Sequence, residues 1–96
     1  MLEPKEVPGK ISKHNVMLYT ISTCIWCKRL KIKLNEREIK YRYIDIDLVP
    51  YMQKEVLKTQ LREIKPRLAF PMMFVDDAFI QNADIDQKIE ELVQDG

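Results

Sequence analysis

The chain has 96 residues, 46% of them hydrophobic and 32% charged, enough for one domain with its own core and too few for a second. Sixteen Lys and Arg stand against fifteen Asp and Glu, a net charge of +1, which excludes the overall field that draws nucleic acid or an anionic membrane surface. No apolar run approaches the roughly 18–20 residues that cross a bilayer, and Met1-Leu2-Glu3-Pro4-Lys5-Glu6 lacks the apolar stretch of an export signal, so a cytoplasmic protein is expected.

Residues 1–13 carry Pro4, Pro8 and Gly9 among charged residues and read as an extended lead-in, with residues 14–96 as the domain proper. Val16-Met17-Leu18-Tyr19-Thr20-Ile21 is a nearly continuous apolar run, as in a central strand buried on both faces. Ser22-Thr23 closes it and offers caps for a helix starting near Cys24, in which Cys27, Leu30 and Leu34 recur at helical spacing until Asn35. Residues 41–47, Tyr-Arg-Tyr-Ile-Asp-Ile-Asp, alternate in part and predict a second strand, completing a βαβ unit. Pro50 suits the first turn of a second helix, whose stripe of Met52, Val56, Leu57, Leu61 and Ile64 ends before Pro66. Residues 71–75 and 78–80 flank Asp76-Asp77 as a hairpin. Ile85, Ile89, Leu92 and Val93 predict a last amphipathic helix with Asp84 at its start. The order is β-α-β-α-β-β-α, an α/β chain whose first two strands run parallel and whose hairpin adds antiparallel neighbours. This is a thioredoxin-like arrangement: a four-stranded mixed sheet flanked by helices.

The chemistry gathers at Cys24-Ile25-Trp26-Cys27, the only two cysteines of the chain. In a chain without an export signal this spacing points to reactive thiols or metal more than to a structural staple. At the junction of strand and helix, unpaired backbone N–H groups and the helix dipole favour a thiolate, the nucleophilic form of the side chain. Cys24 is therefore expected to attack a disulfide, and Cys27, one turn into the helix on its apolar face, to resolve the mixed disulfide; no bound cofactor is needed. Lys28 and Arg29 follow the pair and stand ready for an anionic thiolate or an acidic thiol substrate, and Trp26 offers a platform for substrate. The alternative is half of a zinc site, for which this chain adds only His14, leaving metal or an iron–sulfur cluster to be shared between subunits. Phe70-Pro71 opens the third predicted strand, a place where a residue without an N–H is tolerated.

Tyr19-Thr20-Ile21-Ser22-Thr23-Cys24-Ile25-Trp26-Cys27-Lys28 resembles the active-site strand and helix of glutaredoxins, and Phe70-Pro71-Met72-Met73-Phe74-Val75 resembles their cis-proline strand. The likeness covers residues 15–93 and implies a glutaredoxin-like thiol-disulfide oxidoreductase acting on protein or glutathione mixed disulfides. It implies that Pro71 is cis beside the Cys24 sulfur, that the Phe70 backbone pairs with bound substrate as an added strand, and that Asp84 matches an acidic helix-start residue contacting glutathione. Departures from the family pattern are Ile25 for a proline, Trp26 for a tyrosine, Ile21 for a lysine, Ala69-Phe70 for threonine-valine, Gln81-Asn82 for a glycine pair and Ile85 for a polar residue. They set a second electron source, a thioredoxin-reductase-type flavoprotein, beside glutathione. A monomer is expected, with no nucleic-acid or membrane partner.

Overall fold

The computed structural model describes residues 3–95. Strands β1 (Lys5–Val7), β2 (Val16–Thr20), β3 (Tyr41–Asp45), β4 (Met72–Val75) and β5 (Ala78–Ile80) form one sheet in the order β1-β3-β2-β4-β5. Helices α1 (Ile25–Glu36), α2 (Tyr51–Ile64) and α3 (Ile85–Asp95) cover it. β2 lies at the centre, parallel to β3 and antiparallel to β4, and β5 extends the sheet by a hairpin. The thioredoxin-like topology follows the predicted order, with one strand more than the four expected. Lys5–Val7, within the lead-in, pairs antiparallel with β3. So short a charged segment has no alternation to betray it; only the free edge of β3 makes it a strand.

The period of two along the central strands divides the core. Val16 and Leu18 of β2, with Met73 and Val75 of β4, meet Leu30 and Leu34 of α1 and Ile85, Ile89 and Leu92 of α3. Met17, Met72 and Phe74 point to the other face, against Leu57 and Leu61 of α2 and Ile46. Leu18, Leu34, Met72 and Met73 are fully buried, each contributing roughly 1.5–3 kcal/mol relative to exposure. The expected stripe of α2 is narrower than its sequence: Met52, Val56 and Ile64 are exposed. At 3.6 residues per turn Met52 and Val56 lie roughly 100–140° round the helix from Leu57, too far to share its face, and Ile64 sits at the helix end.

The Asp76-Asp77 turn has both residues at positive φ, 50° and 68°, the type I′ twist that suits a two-residue hairpin. Between β3 and α2 the predicted strand gives way to a 3-10 turn, Ile46–Leu48. The Asp47 carboxylate there accepts from the Ser22 N–H at 2.8 Å and its hydroxyl at 2.5 Å, tying this turn to the loop that leaves β2.

Candidate active site

β2 ends at Thr20 in the middle of the sheet, and the Cys24 N–H donates to the Ile21 carbonyl at 3.0 Å, folding the next residues into the turn that starts α1. The helix is capped by Cys24 itself, not by Ser22 or Thr23. Its sulfur accepts the Cys27 N–H at 3.3 Å, the position an Asp or Ser oxygen takes at an ordinary N-cap. Register Tyr19↔Met72 brings the start of β4 alongside. The Phe70–Pro71 peptide is cis, and the Phe70 carbonyl stands 3.9 Å from the Cys24 sulfur.

The two thiols are driven apart in acidity. Partial burial pushes Cys24 up, but hydrogen bonds from the Cys27 thiol and from the N–H groups of Cys27 and Trp26 outweigh it and hold Cys24 below its ordinary value. Cys27 is completely buried, and burial, followed by its hydrogen bond to Cys24, pushes it up to about 12. One thiol is therefore poised as thiolate and the other is kept protonated beneath it.

Under the pair lies a polar cluster. Lys31, one turn beyond Cys27 on α1, donates to Asp45 Oδ1 at 3.1 Å and sits 3.8 Å from the Tyr43 ring centroid. The fully buried Thr20 hydroxyl donates to the same carboxylate at 2.5 Å. The Lys31 charge opposes, in part, the rise in the Cys27 thiol.

Beside the nucleophile, between α1 and the start of α3, an open groove of about 540 Å³ is walled by Trp26, Arg29, Leu30, Lys33, Phe70, Pro71, Asn82, Ile85 and Asp86. Of the residues singled out from sequence, Trp26, Arg29, Phe70 and Pro71 come together here. Lys28 is exposed and does not line the groove. Asp84 closes the 3-10 turn Asn82–Asp84 and lines a separate depression with Phe79, Gln81 and Lys88. Asn82 and Asp86 face the groove instead. Asn82 entered the sequence reading only as a departure from the family's glycine pair, and Lys33 and Asp86 not at all, although Trp26, Arg29 and Lys33 fall at i, i+3 and i+7 and so share one face of α1. His14, the one further residue offered for a zinc site, is held between two carboxylates away from the thiols, Nδ1 to Asp76 and Nε2 to Asp95, each at 2.6 Å. Among the described residues no group of three or more His, Cys, Asp or Glu is placed to hold a metal ion.

An N-capping cysteine at the end of a central strand, with a buried partner one turn on, defines a thioredoxin-fold thiol-disulfide oxidoreductase. The glutaredoxin family model matches residues 16–80. Glutaredoxin 1 of Rickettsia bellii is 30% identical over 76 residues, 79% of this chain and 76% of that protein. An uncharacterised monothiol glutaredoxin of Caenorhabditis elegans is 33% identical over 90 residues, 94% of this chain but only 60% of its own length. The crystal structure of a Methanosarcina mazei glutaredoxin superposes with a TM-score of 0.77 at 25% identity, covering 95% of this chain and 88% of that one. The chain belongs to the glutaredoxin family. Its class of reaction is thiol-disulfide exchange. No helix among the described residues is long and apolar enough to cross a membrane.

Proposed function

We propose that this chain reduces protein or glutathione mixed disulfides through Cys24 and Cys27, with glutathione as the co-substrate that returns it to the dithiol form. The observation that carries the assignment is the Cys24 sulfur capping α1 under the Cys27 N–H. The Cys24 thiolate attacks one sulfur of the substrate disulfide, a new S–S bond forms, and the other sulfur leaves with the electron pair and takes up a proton. Cys27 then gives up its proton and attacks the Cys24 sulfur, releasing the second substrate thiol and leaving a Cys24–Cys27 disulfide. Two molecules of glutathione, oxidised to their disulfide, supply the two electrons that restore the dithiol. No bound cofactor enters these steps. The Phe70 carbonyl beside Cys24 is available to pair with an extended substrate, and Trp26 and Pro71 form the wall on which it rests.

Support for glutathione comes from family membership and from a structural neighbour, a buckwheat glutaredoxin solved as a glutathione complex. Asp84, standing off the groove, favours a second reading in which a flavoprotein reductase recharges the thiols. Cys24→Ser is expected to abolish disulfide reduction, and retention of most activity would sink the assignment. Cys27→Ser should block reduction of protein disulfides while leaving exchange with glutathione mixed disulfides through Cys24 alone. Reduction of the oxidised protein by glutathione, set beside reduction by NADPH and a thioredoxin reductase, separates the two electron sources.

A further inference from the structure

The two faces of the sheet are covered unequally. Helices α1 and α3 pack on one, whereas α2 alone packs on the other. A helix roughly 10–12 Å across spans only two or three strands spaced about 4.8 Å apart. Beside the C-terminal half of α2 this leaves an open cavity of about 470 Å³, on the face of the sheet away from α1. Its floor is apolar, made by Met17, Ile44 and Phe74 of the sheet with Leu57, Leu61 and Ile64 of α2. Its rim is polar and carries both signs of charge, Arg42 on β3 and Asp77 in the hairpin turn, with Tyr19 and Gln60 beside them. Neither Arg42 nor Asp77 forms an ion pair among the described residues. Glu6, opposite Arg42 across β1 and β3, is taken by Lys40 at 2.8 Å, and Arg42 gives only Nη2 to the neutral Asn15 side chain at 2.9 Å. Burial pushes the Tyr19 hydroxyl up, while Arg42 draws it down and Asp77 pushes it up, so both charges reach the same group. The depression around His14 has no such surplus, since Lys13, His14 and Lys40 are each paired with a carboxylate.

We infer that this cavity is a second ligand site, separate from the thiols, for a small zwitterion with an apolar side chain: its carboxylate on Arg42, its ammonium group on Asp77, and its side chain between α2 and the sheet. A free apolar α-amino acid or a short apolar peptide has this chemistry. The volume falls in the range of small-molecule sites, and an apolar floor with a few polar groups at one edge is their usual make-up. A guanidinium presents paired donors in the fork that a carboxylate accepts. The choice of a zwitterion follows from the rim holding both signs. A simple anion drawn to Arg42 would meet Asp77, and a simple cation drawn to Asp77 would meet Arg42, so each would be penalised by the like charge. Only a ligand with both charges pairs with both. Ile64, half exposed at the edge of the floor, gains cover from the side chain of the ligand. No bond is made or broken at this site, and the inference stands apart from the exchange reaction of Cys24.

Titration of the reduced, full-length protein with matched probes, followed by the backbone amide shifts in NMR at about pH 6 where amino groups are charged, tests this. The probes are L-phenylalanine, its amide without the carboxylate, N-acetyl-phenylalanine without the ammonium group, and the dipeptide Phe-Phe. L-phenylalanine is expected to saturate with a dissociation constant on the order of 1 mM, moving the amides of Tyr19, Arg42, Ile64 and Asp77 and not those of Cys24 to Cys27. The amide and the N-acetyl compound should each bind about three- to five-fold more weakly at low salt, with the difference shrinking as salt is added. Arg42→Gln should erase the advantage over the amide alone, and Asp77→Asn the advantage over the N-acetyl compound alone. Asn tolerates the positive φ of that turn position, so the hairpin is kept. Tighter binding of Phe-Phe than of phenylalanine assigns the short peptide as the ligand, and weaker binding assigns the free amino acid. An independent readout is stability: saturating phenylalanine should raise the urea midpoint of the native chain more than that of either variant. Disulfide reduction by both variants should match the native rate, since neither residue lies at the thiols. Equal binding of the three phenylalanine probes, differences that survive both substitutions, shifts confined to the groove at Trp26, or no saturation by about ten times the expected constant would each overturn the proposal and leave the redox assignment intact.

Discussion

At the scale of single residues, the difference between Cys24 and Cys27 sets the order of events. The same N–H and S–H donors that stabilise a thiolate on Cys24 leave Cys27 as the proton-bearing partner. Alkylation of the reduced protein is therefore expected to modify Cys24 first, at a pH below the ordinary thiol range, with Cys27 unreactive until strongly alkaline pH. Mass mapping of iodoacetamide adducts against pH checks this. The hydrogen bond from Cys27 is lost once Cys24 forms a mixed disulfide, whereas burial and Lys31 remain. Lys31 lies one turn below, fixed by Asp45, which Thr20 fixes in turn. Lys31→Met should then slow the resolving step by about two- to five-fold at neutral pH and move its pH profile upward. Lys31→Arg should restore it, and the initial attack by Cys24 should not change. A slowing of both steps alike would mean that Lys31 serves the fold and not the thiol.

At the scale of elements, the packing of the lead-in depends on Gly9. A Cβ there would meet backbone atoms of Lys40, Glu38 and Ile39 at 2.5–2.6 Å. This close approach lets Ile11 exchange hydrogen bonds with the Glu38 carbonyl and the Lys40 N–H, both at 2.9 Å, just beyond the end of α1. Gly9→Ala is expected to cost about 1–3 kcal/mol, read as a lower urea midpoint. Activity below the transition should persist, because Cys24 is at the other end of a helix roughly 18 Å long. The dispensable look of residues 5–11 in the sequence has a physical cause: their hydrogen bonds are made to the edge of β3 and to the turn after α1, both distant in sequence. The elements built on local signals were legible, among them Val16–Thr20 by its continuous apolar run, α3 by Ile85, Ile89 and Leu92, and the hairpin by Asp76-Asp77. The thiol pair was legible for the same reason, since spacing alone puts Cys27 one turn from Cys24. The groove was not. Which acidic residue at the start of α3 or in the turn before it meets Lys33 is decided by how these elements sit on α1, and that placement sets Asp86, not Asp84, against it.

On the whole molecule, three segments remote in sequence meet at His14, near the start of β2 and so at the opposite end of that strand from Cys24. Asp76 belongs to the hairpin turn and Asp95 to the last turn of α3; Lys13 is 3.5 Å from Asp95. Hydrogen bonds to Asp95 and then Asp76 hold His14 above its usual 6.5. A raised folded pKa means that the folded state binds the proton more tightly, so this contribution is complete below 6.5 and fades as pH rises through the higher folded value. The two carboxylates run the other way. Asp76, through the Asn15 N–H and His14, and Asp95, through His14 and Lys13, lie below the usual 3.8, so their contribution is complete above 3.8 and fades as pH falls through their lower folded values. The clamp is strongest between these limits, in mildly acidic solution. All three groups reach solvent, which screens them and keeps the effect small. Urea midpoints measured across pH should decline for the native chain from about pH 6.5 upward relative to His14→Gln, which should lack that part of the slope. Disulfide reduction by His14→Gln should keep the native pH profile, because the groups that set the acidity of Cys24 are its own helix N–H donors and Cys27. A stability slope shared by both chains would remove His14 as the joint of these three segments.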